Sequence, residues 1–256
     1  MRLFDMSLAK EMEQQGSKLF KYRGKLPIVI LLLALALHAY QSYNGGIQNA
    51  FLKSFNYQLV CLLVSLLGLG IRIITLGFVF KNTSGRNTTK QIADSINKTG
   101  SYSMMRHPLY VGNFLMWLGI GMLTANLWFN VFFILSFWLY YERIMYAEES
   151  YLIGKFGEEY TKWSATVPAF VPKLSNWTKP QLDFSWSKII RQEKSGIAAL
   201  FIVFMLFHQL NYYFENNDQL DLSLSFWNLA CILSIVYLLI VKLVQKTTNL
   251  LDDSKR

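Results

Sequence analysis

Arg106-His107-Pro108-Leu109-Tyr110-Val111-Gly112 opens an apolar run that continues to Leu123, and a short turn to Asn126 separates it from a second run, residues 127–146. Whether the first run crosses a bilayer decides the topology of the chain. From Tyr110 to Leu123 it reaches only about 21 Å as a helix, so it spans if Pro108 and its neighbours extend it or the bilayer thins. A cation, an imidazole, a proline and a phenol within five residues at the threshold of an apolar span are expensive to leave idle there. The stretch therefore reads as a site as well as a span.

Outward from this hairpin the sequence is apolar in long runs. Of its 256 residues 53% are hydrophobic and only 16% charged. Residues 26–43, 58–80, 196–214 and 222–243 form runs too long for a soluble core, so the expected fold is all-α, a polytopic membrane helical bundle of about six transmembrane helices. Lys and Arg orient them. Arg2, Lys10, Lys18, Lys21, Arg23 and Lys25 precede the first run, Lys81, Arg86, Lys90, Lys98 and Arg106 follow the second, and a third basic stretch runs from Lys155 to Lys194. The intervening loops are nearly free of bases, and residues 215–221 hold three acids. The positive-inside rule then puts both termini and the hairpin's open end in the cytoplasm, and only if the short run crosses. The first run lacks a small-residue cleavage site and is expected to stay as a span. A net charge of +9 suits cytoplasmic loops facing an anionic leaflet and asks for no nucleic-acid partner.

Three soft divisions follow: residues 1–57, a cytoplasmic segment and the first span; 58–175, a core containing the hairpin; and 176–256, a cytoplasmic connector with two additional spans and a tail. Residues 88–97 read as a short amphipathic helix with Ile92 and Ile96 toward the membrane. Cys61 and Cys231 lie inside spans and read as packing residues. His38, His107 and His208 sit on different segments, and no spacing of His, Cys or carboxylates suggests a metal site. Acceptor-type Asn at 82, 87, 97 and 176 falls on the cytoplasmic side and is discounted. His208, Gln209 and Asn211 read as interfacial polarity, Glu158 and Glu159 as a solvated face, and Gly68, Gly70, Gly119 and Gly121 as helix contact points.

Pro108 suits a helix first turn, leaving Arg106 and His107 just outside it, and Gly112 would let a flat ligand approach the backbone. Glu142 and Glu149 are seven apart and share a face with Tyr146, with Arg143 and Glu148 on flanking faces. An antiparallel hairpin brings Arg106, His107 and Tyr110 against Arg143, Glu148 and Glu149. Such a mixture of arginine and carboxylates suits a zwitterionic, partly aromatic ligand, and S-adenosylmethionine fits.

These residues resemble the isoprenylcysteine carboxyl methyltransferase family and its phospholipid N-methyltransferase relatives, in which Arg-His-Pro-x-Tyr-x-Gly precedes a helical hairpin, a Glu-Glu pair and Phe-Gly-x-x-Tyr. Here the elements are Arg106 to Gly112, Glu148-Glu149 and Phe156 to Tyr160. The resemblance implies an integral membrane methyltransferase that uses S-adenosylmethionine at the cytoplasmic face and acts on a lipid or isoprenoid-type hydrophobic acceptor, a carboxylate or an amine. It places His107, Tyr110, Gly112, Glu148 and Glu149 around the cofactor and gives Arg106 and Arg143 the task of orienting a carboxylate. Glu142 or Glu148 would take a proton from an amine acceptor. Arg72, late in the second span, either snorkels to the interface or contacts substrate or Glu142. Trp163 stands where the family usually has a tyrosine, and the last two spans lie outside the resemblance. Two rivals stay open: an NADPH-dependent reductase of the sterol-reductase type, which shares the hairpin pattern, and a non-catalytic scaffold or lipid-binding protein.

Overall fold

The computed structural model describes residues 7–46, 49–80, 83 and 91–251, and among them every regular element is helical. Arg2, Lys81, Arg86, Lys90, Asn82 and Asn87 lie outside the described residues, as do positions 88–90 of the expected amphipathic helix. Its remainder, 91–97, is irregular rather than helical. Ile96 and Ala93 instead line a cavity under this segment.

Helix α1 (Leu8–Tyr22) turns at Arg23 and Gly24 into α2 (Leu26–Tyr43). A single turn, α3 (Ala50–Lys53), leads to α4 (Phe55–Gly77), whose first turn is capped by Ser54 Oγ accepting from the Tyr57 amide at 3.2 Å. Another single turn, α5 (Ser101–Met104), comes before α6 (Pro108–Met122), which begins at the proline as a fixed φ and a missing N–H favour. The long α7 (Leu127–Phe156) starts at Asn126, whose side chain accepts from Phe129 N at 2.9 Å. Then come α8 (Glu158–Ser164), α9 (Trp186–Glu215) and α10 (Phe226–Thr247). By length and composition α2, α4, α9 and α10 are long and apolar enough to cross a membrane, while α6 is a shorter apolar helix.

Several boundaries moved: α4 covers Phe55–Gly77 rather than 58–80, and α7 continues past residue 146 to Phe156. Helix α9 begins ten residues before the expected run, because Ser185 caps it and its early charges find partners: buried Lys188 donates to Val79 O at 2.8 Å. The last helix begins at Phe226 rather than residue 222, because Asp221 and Ser223 are held in a loop by side-chain hydrogen bonds.

The expected hairpin is present. Ala125, with φ of 51°, closes the tight turn between α6 and α7, and Phe114 meets Phe133 and Phe137 at centroid distances of 6.0 and 5.2 Å across the pair. Helices α4 and α6 approach more closely still. A Cβ on Gly68 would collide with the Gly112 carbonyl, and one on Gly119 would meet Ser65 and the Cys61 carbonyl. Ser65 and Tyr57 each donate to α6 carbonyls, Met116 O at 2.9 Å and Met122 O at 2.8 Å. Gly68 and Gly119 are thus contact points, whereas Gly70 faces open space. Helix α9 closes the bundle through Leu200, Phe204 and Phe207, with Trp227 of α10 against Phe204. Both cysteines are buried and free. The outward faces of α2, α4, α7 and α10 carry exposed Leu32, Leu63, Leu135 and Leu239, the surface expected of helices solvated by lipid.

Candidate functional site

The Arg106-His107 backbone does not hang free at the start of α6. Arg106 N donates to Pro168 O at 2.9 Å and His107 N to Ala169 O at 3.1 Å, while Lys173 N donates to Met104 O at 3.0 Å. The stretch Val167-Pro168-Ala169-Phe170 thus fixes the direction in which the two side chains leave the helix. Pro168 fits this use, since a proline can still lend its carbonyl.

Across from them, the end of α7 presents two carboxylates. His107 Nε2 lies 2.8 Å from Glu149 Oε1, and Arg106 reaches the other oxygen of the same carboxylate at 3.0 Å. Tyr110 OH donates to Glu148 Oε1 at 2.8 Å, and Arg23, between α1 and α2, comes within 3.6 Å of that oxygen. Glu148 lies past the apolar part of α7. Burial raises its carboxyl above the ordinary value, against the opposing pull of His107, Tyr110 and Arg23. Burial, with the nearby Glu149 charge, likewise pushes the Tyr160 phenol up, so it stays a neutral donor.

All of these groups except Glu149 border a cavity of about 720 Å³, within the ordinary range for small-molecule sites. Its walls come from the α1–α2 corner, α4, α6, α7, α8, α9 and the irregular segment 91–97. Among the described residues, three buried nitrogens have no hydrogen-bond partner and belong to residues lining this cavity: Gln91 Nε2, Arg106 Nε and Trp163 Nε1. All three are donors. A ligand bringing oxygen or ring-nitrogen acceptors would satisfy groups that otherwise cost free energy to bury. Tyr102, Tyr110, Tyr160 and Trp163 supply aromatic faces for a cation. A zwitterion with a purine ring and a sulfonium fits this inventory.

Farther along α6 the wall changes. Arg72 donates from Nε and NH2 to the two oxygens of Glu193 at 3.0 and 2.6 Å, and from NH1 to Asn113 Oδ1 at 2.6 Å. Arg72 therefore neither snorkels away nor pairs with Glu142; its partner is a carboxylate on α9. Gly112 is part of this arrangement. A Cβ there would press on Arg72 Cγ and the Gly68 carbonyl, so the glycine makes room for the arginine stem and the neighbouring helix rather than for a flat ligand.

Arg106, His107, Tyr110, Glu148 and Arg72 all line the cavity. Glu149 stands one layer behind, holding His107 and Arg106. Arg143 points the other way: its Nε donates to Gln15 of α1 at 2.9 Å and its NH1 to Leu139 O at 2.8 Å, and Gly16 packs on its carbonyl. Neither Arg143 nor Glu142 borders the cavity, because a helix end wide enough to hold four charged residues turns two of them outward. Glu158 and Glu159 are exposed as expected. Sequence reasoning missed Arg23, Asn113, Glu193 and Gln91; Glu193 stands in the polar stretch Arg191-Gln192-Glu193-Lys194, which reads as a solvated helix start and gives no local signal.

A family described as phospholipid methyltransferase matches residues 52–159. A cobalt-zinc-cadmium resistance protein of Cupriavidus metallidurans is 31% identical over 155 residues, 57% of this chain and 69% of that protein. A nickel-cobalt-cadmium resistance protein of Alcaligenes xylosoxydans xylosoxydans is 35% identical over 109 residues, 42% and 48% of the two chains. A protein-S-isoprenylcysteine O-methyltransferase of Schizosaccharomyces pombe is 32% identical over 97 residues, 36% and 41%. The chain thus spans about half the length of most of these relatives. No solved structure gives a significant match.

Proposed function

This chain belongs to the phospholipid methyltransferase family, and on that premise we propose that it transfers a methyl group from S-adenosylmethionine to a hydrophobic, lipid-borne acceptor at the cytoplasmic membrane face. The observation that carries the reading is the set of three unpartnered buried donors beside the paired carboxylates of α7. The family's methyl donor offers the acceptors those donors lack.

When bound, S-adenosylmethionine supplies a methyl group on a sulfonium, an electrophile already activated. The protein's share is alignment and exclusion of water. Gln91, Arg106 and Trp163 would fix the donor's polar ends, and Tyr110 with Tyr160 would face its cation. Glu149 holds the His107 ring and the Arg106 fork in one geometry. Glu148 lines the cavity and has a raised carboxyl, so it is the group to take a proton from an acceptor that must lose one. Glu142 is not placed for that task. Helices α6 and α7 would cross together with α2, α4, α9 and α10, and the basic loops behind the +9 charge would face the cytoplasm.

The reductase reading is less favoured, since Arg23, Arg72 and Arg106 each face a carboxylate and none is committed to an extra phosphate. A thermal-shift comparison on the purified protein separates the readings. Stabilisation by S-adenosylhomocysteine is expected, and stabilisation by NADPH alone would overturn the proposal. Incubation with labelled S-adenosylmethionine and a total lipid extract of the host then identifies the acceptor.

A further inference from the structure

We infer that Glu193 makes the acceptor end of the cavity select an uncharged head group and reject a carboxylate. The inference rests on the methyltransferase reading and deepens it. Asn113 lies five residues, about 7.5 Å, along α6 from Pro108 at the motif end, so the cavity has two polar ends. Of the unpartnered donors, Arg106 Nε belongs to the motif itself and Trp163 Nε1 sits on α8 beside Tyr160. At the other end Arg72, Asn113 and Glu193 satisfy one another.

All three nitrogens of the Arg72 guanidinium donate within the protein, two of them to a carboxylate that is 1% exposed. The charge of Arg72 is therefore matched before any acceptor arrives. Its stem is confined where it crosses Gly112, so the guanidinium cannot swing toward a second anion without stranding Glu193. A carboxylate entering here would have to displace Glu193 or lie beside it, and like charges in a poorly solvated wall repel strongly. One helical turn from Arg72 and from Asn113 the wall carries Leu76 and Trp117, and beside Glu193 the uncharged Gln192, which suits a neutral head on an apolar tail. Glu193 also lies beyond the family-matched residues 52–159. The α9 helix thus alters the charge of a wall whose arginine comes from the matched region.

The test uses the full-length purified chain with S-adenosylhomocysteine, and two probes differing only in charge: S-farnesyl-N-acetylcysteine and its primary amide. In the wild type the amide is expected to bind about tenfold more tightly than the acid. Glu193→Gln leaves Arg72 with an uncancelled charge and should close or reverse that ratio. Equal or tighter binding of the acid by the wild type overturns the inference, whether or not the variant folds. An unchanged acid-to-amide ratio in a Glu193→Gln protein that still binds S-adenosylhomocysteine overturns it too. If S-adenosylhomocysteine stabilises neither protein, the methyltransferase reading fails instead, and the ratio measured without it still decides the charge preference.

Discussion

His107 Nε2 lies 2.8 Å from Glu149 Oε1, yet Glu149 does not border the cavity that His107 lines. The carboxylate also takes Arg106 at 3.0 Å, so one side chain on α7 sets the orientation of two on the threshold of α6. Glu149→Ala should therefore lower methyl transfer by about 100-fold through misplacement of those groups. The check is kcat and KM with labelled donor. A loss confined to protein yield, with normal turnover per folded molecule, would count against this role.

Arg106 and Arg143 both neighbour the Glu-Glu pair in sequence reasoning but face different partners. Arg106→Ala removes a cavity wall group and should abolish turnover in a protein that still purifies as a folded species. Arg143→Ala removes the hydrogen bond to Gln15, so it should cost about 1 kcal/mol of stability through loosened docking of α1 and leave turnover within a few-fold of wild type. Loss of turnover in a fully stable Arg143→Ala protein would return that residue to the chemistry.

The packing of α4 on α6 makes a separate prediction. A side chain at Gly68 meets the Gly112 carbonyl and the Met116 amide, which are backbone and cannot rotate aside. Gly68→Val should destabilise the protein by about 1–3 kcal/mol, the usual cost of overpacking, seen as a lower unfolding midpoint in detergent. Gly70, with nothing nearby, should accept the same change with little effect.

Much of this was legible in the sequence, and the exceptions share a cause. Long apolar runs and the positions of Pro108 and Asn126 announced α2, α4, α6 and α7, since those signals are local. The pairing of Arg106, His107 and Tyr110 with Glu148 and Glu149 followed from a tight turn and helical spacing. Arg72 could not be assigned, because its partner Glu193 is 121 residues away and periodicity carries no information on which helices touch. The same holds for Arg23 beside Glu148. Arg143 was misdirected for another reason: on α7 adjacent residues point about 100° apart, so only the packing of α1 decides which charges face inward. Residues 91–97 carried apolar spacing but no helix, since their contacts are with the cavity wall.

At the other end of the bundle, Asp221 is held by His208 at 2.8 Å and by Ser223 at 2.6 Å. These partners, His208 first, hold its carboxyl well below the usual carboxylate range. A depressed folded value means that the contribution to stability is fully present above the unfolded value of about 3.9 and fades as pH falls below it. Asp221→Asn should lower the unfolding midpoint by a few degrees near neutral pH, and the gap to wild type should narrow on acidification. A gap that stays constant down to about pH 3 would show that the carboxylate charge plays no part.

Trp163 offers the sharpest reading of the donor end. Its indole N–H is buried and has no partner among the described residues, and the ring stands 5.4 Å from that of Tyr160 on the same short helix. An isolated buried donor costs about 1–3 kcal/mol, which a bound acceptor would recover. Trp163→Phe keeps an aromatic ring and removes the donor, so two opposite effects are expected. The ligand-free protein should be no less stable than wild type, whereas affinity for S-adenosylhomocysteine should fall by about five- to 100-fold. Calorimetric titration of both proteins measures the second effect, and a thermal scan the first. Unchanged affinity would mean that the indole N–H faces a part of the cavity the donor does not reach.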